Sequence, residues 1–299
     1  MTTNPDLSKN IFQQHWWLDI ASEGNWGECS VDTRQGELKL TYGLRKRFIG
    51  FTEIYLPPLS PYLGISMDGF DALSERDQYQ ALSEGIPQLL TKLPSYHRLK
   101  INMMPEFKWW SPFYWEGFHQ HTRYSYILNG ISDQEKCFKD LNKNTKRNIK
   151  KAGRLVSVEE NKDSDTLYDL FSKTMENQGG KPGYPRAVLK KLCDAIFERE
   201  CGTLLTGIDE RGDAHCSLLL VWDSKYAYYL SGGTDPDLRS SGAMPLTMWH
   251  AIKTGSKYAD NFDFEGSMQK GIDKFLRGFG GTATPYYCIG HGVLANKIA

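Results

Sequence analysis

The residues best suited to chemistry lie between Tyr226 and Gly281. Twice in that window an apolar run passes through small residues into a helical pattern. The first passage is Tyr226-Ala-Tyr-Tyr-Leu-Ser231, then Gly232-Gly233-Thr234-Asp235-Pro236, then Arg239-Ser240-Ser241-Gly242-Ala243, opening a helix that ends near Gly255. The second is Asn261-Phe-Asp-Phe264, then Glu265-Gly266-Ser267, then a helix with Phe275 and Phe279 that stops at Gly280-Gly281. A helix start reached through small residues suits an anionic ligand, because free backbone N–H groups and the helix dipole point at it. Asp263 and Glu265, at the carboxyl end of a strand, are candidates to accept a proton. Alternation turns Asp263 away from Phe262 and Phe264. A turn cap at Asp263 and a solvated Glu265 fit the same pattern equally well. Tyr229 is a candidate acid, although a core tyrosine is the commoner use.

Two histidine patterns are weaker. His215 adjoins Cys216, but neighbouring strand residues face opposite ways, which disfavours a Cys–His nucleophile. His119-x-His121 sets two imidazoles on one strand face with no third ligand evident, so a surface pair is the stronger reading and no metal is expected.

The elements that must hold these residues follow from periodicity. Residues 11–20 read as a short helix, 26–31 and 37–44 as a hairpin, and 48–55 as a strand. Residues 76–93 read as a helix, kinked or split at Gly85 and Pro87. Strands are expected at 97–103 and 118–128, on either side of an aromatic loop. A boundary falls at Gly130 to Asp133. Lys136 to Arg154 is the most basic stretch, and on one helix Lys139, Lys143, Lys146 and Lys150 share a face. That face is either solvated or a phosphate-binding surface. From Leu155 onward the pattern gives the order β-α-α-β-β-β-α-β-α-β, with residues 203–208, 214–222 and 225–231 forming an antiparallel meander.

At 299 residues the chain exceeds the usual single core, so two domains are expected, 1–130 and 131–299. Lys+Arg and Asp+Glu each total 36, so overall charge points to neither nucleic acid nor membrane. The six cysteines show no metal or redox spacing and several fall on apolar faces, which suits reduced thiols. No signal peptide or transmembrane run is visible, and a cytoplasmic protein is expected.

The strand order, together with Tyr228-Tyr229-Leu-Ser-Gly-Gly233, Arg239-Ser-Ser-Gly-Ala-Met-Pro245, Asp263-Phe-Glu-Gly266 and Gly271-Ile-Asp-Lys-Phe275 followed by Phe279-Gly280-Gly281, resembles the FemAB-like branch of the GNAT N-acyltransferases. The basic Lys146-Arg147-Asn-Ile-Lys150-Lys151 is similar to the segment that opens the second domain there. The resemblance covers roughly residues 130–290 and implies an α+β fold. It would comprise two GNAT-like domains in tandem, each a mixed, mostly antiparallel sheet flanked by helices, with a cleft between them.

The resemblance also implies direct transfer of an acyl group from an acyl-CoA-type thioester to a small-molecule or lipid-linked amine. Asp263, Glu265 and Tyr229 would serve the chemistry. Leu230, Ser231, Gly232, Arg239, Ser240, Ser241, Gly242 and Ala243 would hold the donor. Arg147, Lys150, Lys274 and Arg277 would bind substrate. Two alternatives accompany it: an aminoacyl-tRNA-dependent transferase acting on a cell-wall or lipid-linked amine, and a GNAT-like module without catalysis. Two departures bear on these. No loop is long enough for the helical hairpin of the peptidoglycan-bridge members, and Leu276 stands where the family tends to place a lysine.

Overall fold

The computed structural model describes residues 10–47, 50–266 and 268–292. In chain order its elements are α1 (His15–Ala21), β1 (Trp26–Thr33), β2 (Gly36–Lys46), β3 (Thr52–Tyr55), β4 (Gly64–Ser66), α2 (Glu75–Thr91), β5 (Arg98–Asn102), α3 (Ser111–Trp115) and β6 (His119–Asn129). There follow α4 (Gln134–Asp140), α5 (Lys143–Ala152), β7 (Val156–Asn161), α6 (Ser164–Asn177), α7 (Arg186–Glu198), β8 (Gly202–Asp209), β9 (Ala214–Trp222), β10 (Tyr226–Thr234), α8 (Ala243–Gly255), β11 (Asn261–Asp263), α9 (Lys270–Leu276) and β12 (Thr282–Gly292). The fold is α+β, and from β7 onward the element order is the one the sequence pattern gives.

The chain divides into two compact units, Met1–Gln14 with Tyr124–Thr284, and His15–Arg123 with Pro285–Ala299. A contiguous split at residue 130 would place Ile11 and Phe12 with the first unit in sequence. Instead Ile11 N donates to Asp223 Oδ2 at 3.4 Å, and the Phe12 ring lies 4.8 Å from Tyr228.

In the 15–123 unit, β1 and β2 form the expected hairpin, with Trp26 opposite Gly43 and Thr33 opposite Gly36. β2 pairs antiparallel with β3 and β4, β3 runs parallel to β5, and β12 pairs antiparallel with β5. α2 runs unbroken through Gly85 and Pro87 rather than splitting. Gly85 is needed because a Cβ there would lie 2.6 Å from Leu38 Cδ2, so the helix packs directly on β2.

In the 124–284 unit the strand order is β6-β11-β10-β9-β8-β7, with β10 and β11 parallel and the other pairs antiparallel. From His215 to Trp222 every β9 residue is buried, as expected when both faces of a strand are covered. Cys216, Leu218, Leu220 and Trp222 join α8 residues Met248, Trp249 and Ile252 in one core with Phe262, Phe264, Leu276 and Phe279.

Two local expectations change. The basic stretch is two helices rather than one, because Asn142 caps α5 by accepting from Thr145 N at 2.7 Å, which leaves Lys139 on α4. Gly232 and Gly233 lie within β10 rather than in a turn. A Cβ at Gly233 would lie 2.2 Å from Phe171 N, so the glycine lets α6 pack onto the strand. The six cysteines are unpaired, and burial pushes Cys193 and Cys201 up to about 12.

Candidate active site

β10 keeps its β9 partner along its length, from Ala227 opposite Trp222 to Thr234 opposite Cys216. Its other edge pairs with β11 only from Tyr226–Asn261 to Tyr228–Asp263. The β9 register shifts between Tyr229 and Ser231, so Leu230 is the extra residue of a bulge, the device that bends a strand away from its neighbour. Beyond Tyr228, β10 continues to Thr234 while β11 has ended.

A cavity of about 570 Å³ lies along this part of β10. Gly232, Gly233 and Thr234 form one wall, and Arg239 with Ser241–Pro245 forms another. Asn148, Thr174, Gln178 and Gln269 add polar groups; Leu238, Met244, Ile272 and Phe275 add apolar ones. Gly242 takes φ 77°, the left-handed conformation that lets the 3-10 turn Arg239–Ser241 enter α8. Tyr229 also lines the cavity and lies over Gly232, where a Cβ would come within 2.6 Å of its hydroxyl.

Of the residues expected to hold a donor, Gly232, Arg239, Ser241, Gly242 and Ala243 line this cavity. Three do not. Leu230 is 8% exposed in the core, Ser231 Oγ bonds Tyr184 Oη at 2.7 Å, and the Ser240 carbonyl accepts from Lys151 Nζ at 2.6 Å.

The acidic pair sits deeper. Asp263 is 1% exposed, and its Oδ1 accepts the Ser125 hydroxyl and the Glu265 N–H, the latter at 2.7 Å. It therefore fixes the turn, while Glu265 is held at φ 58°, a left-handed conformation unusual outside glycine. Glu265 Oε1 is buried with no hydrogen-bond partner among the described residues. Burial, and then the nearby charge of Asp263, push the Glu265 carboxyl well above the ordinary 4.5. Burial and then Glu265 raise the Tyr229 phenol far above its usual range, so it stays protonated. Ser267, the last residue of this passage, lies outside the described residues.

Arg147 and Lys150 do not reach the cavity. They line a separate groove of about 580 Å³ with Lys143, Lys146, Lys151, Arg154 and Leu155. Among the described residues none of these six cations pairs with a carboxylate; Lys146 and Lys151 bond backbone carbonyls and Arg147 bonds Asn144. Lys274 and Arg277 are exposed and line neither space, and Arg277 Nε pairs with Asp273 at 3.1 Å. Leu276, between them, is 1% exposed and belongs to the core. His119 and His121 stand in the other unit with ring centres 6.4 Å apart. Among the described residues no group of three or more His, Cys, Asp or Glu side chains is placed to hold a metal.

Sequence reasoning gave no role to Ser125, Thr174 and Gln178, which carry no motif, nor to Asn148 within the basic segment; all four reach the site only through folding. It had singled out His215 for another role.

Residues 139–264 match the model of the acetyltransferase (GNAT) domain. That segment is similar to a GNAT acetyltransferase domain. Among solved structures, FemX aligns with a TM-score of 0.71 at 13% identity, over 95% of this chain and 93% of that one. L-PGS from Bacillus licheniformis aligns at 0.55 and 9% identity, over 94% and 88%. The C-terminal domain of an assigned lysylphosphatidylglycerol synthetase from Agrobacterium fabrum aligns at 0.55 and 10% identity, over 97% and 90%. At these identities the likeness is one of fold. No curated protein matches the sequence. The matched segment thus sits in a fold similar to that of FemX, and the bulged β10 and the turn after it lie within that segment.

Proposed function

We propose that the protein is an N-acyltransferase that moves an acyl group from an acyl-CoA-type thioester directly to an amine. The observation that carries this reading is the cavity shared by the stretch of β10 beyond Tyr228, where its pairing with β11 ends, and the Arg239–Ala243 turn. Backbone groups on that edge suit the extended, amide-bearing arm of a pantetheine donor. Arg239 and the positive end of the α8 dipole suit its phosphates. Leu238, Met244, Ile272 and Phe275 offer an apolar surface for the acyl chain.

In the reaction the amine nitrogen bonds to the thioester carbonyl carbon, and the carbon–sulfur bond breaks as the tetrahedral intermediate collapses. Glu265 takes the proton lost by the amine; a carboxylate of raised pKa is a better base near neutral pH. Tyr229, held protonated, returns a proton to the departing thiolate. Asp263 acts on the turn and does not touch the reacting atoms. The acceptor is a small-molecule or lipid-linked amine.

Aminoacyl transfer from tRNA is the second reading. The groove of six cations without carboxylate partners favours it, and Lys151 ties that groove to the donor turn. Thermal-shift measurements separate the two. Acetyl-CoA and longer acyl-CoAs should raise Tm, since a ligand that binds only the native state stabilises it. No shift with any acyl-CoA, alongside aminoacyl-tRNA binding that weakens steeply with salt, would replace the first reading with the second.

A further inference from the structure

The acyl-transfer scheme leaves His215 unused, although it lines the donor cavity and is only 7% exposed. Its Nδ1 lies 2.9 Å from Ser241 Oγ, and its buried Nε2 lies 3.3 Å from Asp209 Oδ2, off the ideal hydrogen-bond line. The three residues come from the end of β8, the start of β9 and the turn before α8.

Asp209 is itself fixed, because its Oδ1 accepts from Asp213 N at 3.0 Å and Arg211 N at 2.9 Å. Those backbone bonds, Asp213's foremost, hold its carboxyl below the usual range. An ionised acceptor beside Nε2 places the ring proton there, which leaves Nδ1 to accept from the Ser241 hydroxyl. Ser241 Oγ in turn accepts from Ala243 N at 3.2 Å, the first N–H of α8. With Ser241 6% exposed and both its hydrogen-bonding directions taken, the hydroxyl is a fastening for the turn and not a nucleophile.

We propose that His215, its ring proton held at Nε2 by Asp209, is a positioning residue for the donor: it orients the Ser241 hydroxyl and keeps the Arg239–Ala243 turn open to the donor's phosphates. The effect on donor binding rests on the function proposed above; the wiring does not.

Two measurements test it. Ring 15N NMR should show the Nε2–H tautomer at His215, assigned by its loss in His215→Gln. It should move toward a mixture in Asp209→Asn, which keeps the turn bonds at Oδ1 but loses the charge. The Nδ1–H tautomer overturns the wiring whatever the protein binds.

With coenzyme A as the probe, His215→Gln and Ser241→Ala should each weaken Kd about tenfold, the scale of one hydrogen bond. In turnover with acyl-CoA they should raise the donor KM and leave kcat unchanged. The double variant should lose no more than either single one, as expected for groups acting as a unit. Ser241→Thr, which keeps the hydroxyl, should restore binding. Unchanged affinity in His215→Gln and Ser241→Ala overturns the positioning role and leaves the donor reading standing. A wild-type protein that ignores coenzyme A overturns both the donor reading and the positioning role, with the tautomer then judging the wiring by itself.

Discussion

At the junction of β10 and α8, Gly242 takes φ 77° and the turn around it opens on a cavity. At the junction of β11 and α9, Gly266 takes φ 58° and is packed against β6, while Gln269, Ile272 and Phe275 further on line the same cavity. In sequence the two passages look alike, each a strand meeting a helix through small residues. In the first, the nearest atom to a Cβ on Gly242 would be Asn148 O at 3.2 Å. In the second, a Cβ on Gly266 would lie 1.9 Å from the Tyr124 carbonyl oxygen. The first glycine is required by backbone conformation and leaves room for a ligand. The second is required by close approach of another strand and leaves none.

The largest expected effect comes from closing that difference. Gly266→Ala must displace β6 as well as adopt a left-handed conformation, and should cost more than about 3 kcal/mol in urea unfolding. Gly242→Ala meets the conformational penalty, about 1–2 kcal/mol, and a tight 3.2 Å contact with the Asn148 carbonyl oxygen, and should still cost less. Equal costs would break the contrast between the two junctions.

Next is Glu265→Gln, which should lower turnover at least roughly a hundredfold, within the range of general acid–base catalysis, with donor affinity unchanged. The same variant sharpens the electrostatics of the closed junction. Because the folded-state pKa of Glu265 is raised, the native protein binds more protons than the unfolded chain above about 4.5. Wild-type stability should therefore fall relative to Glu265→Gln as pH rises from there toward the folded pKa, and the gap should be constant beyond it. A gap that narrows with pH would refute the buried, proton-holding Glu265.

Arg239→Ala, at the open junction, should weaken acyl-CoA binding about tenfold, the scale of one charge-assisted hydrogen bond, in isothermal titration. Lys274→Ala and Arg277→Ala should be the mildest. Both side chains are exposed, and the Arg277–Asp273 pair is a surface ion pair, so the stability change should stay within about 0.5 kcal/mol by thermal unfolding. A loss of acyl-CoA affinity in Arg277→Ala matching that of Arg239→Ala would show that the donor reaches both junctions.

Much of the fold was legible because the 3.6- and 2-residue periods survive in the chain. The order from Leu155 to Ile289 matches element for element. Legibility ended where a residue's meaning depends on a distant partner. Gly232-Gly233 reads as a turn until α6 is seen packed on Gly233. Lys139 reads as part of a longer basic helix until Asn142 caps α5. Leu276 reads as a departure in a polar motif, yet its neighbours Phe264 and Phe279 make it a core residue. Asp263 reads as either a base or a turn cap, and the fold adds Ser125, from β6, whose hydroxyl donates to its Oδ1 beside the Glu265 N–H.

By itself, then, the sequence determined most of the elements and the clustering of Arg239–Ala243 with a following helix. Those follow from local backbone sterics and side-chain periodicity, which neighbours along the chain impose. Which junction opens and which closes, which acid is consumed by a hydrogen bond and which is left unpartnered, and that His215 meets Ser241 were decided by tertiary structure. Desolvation and hydrogen-bond pairing depend on what the fold brings alongside, and those partners lie tens to more than a hundred residues away in the chain.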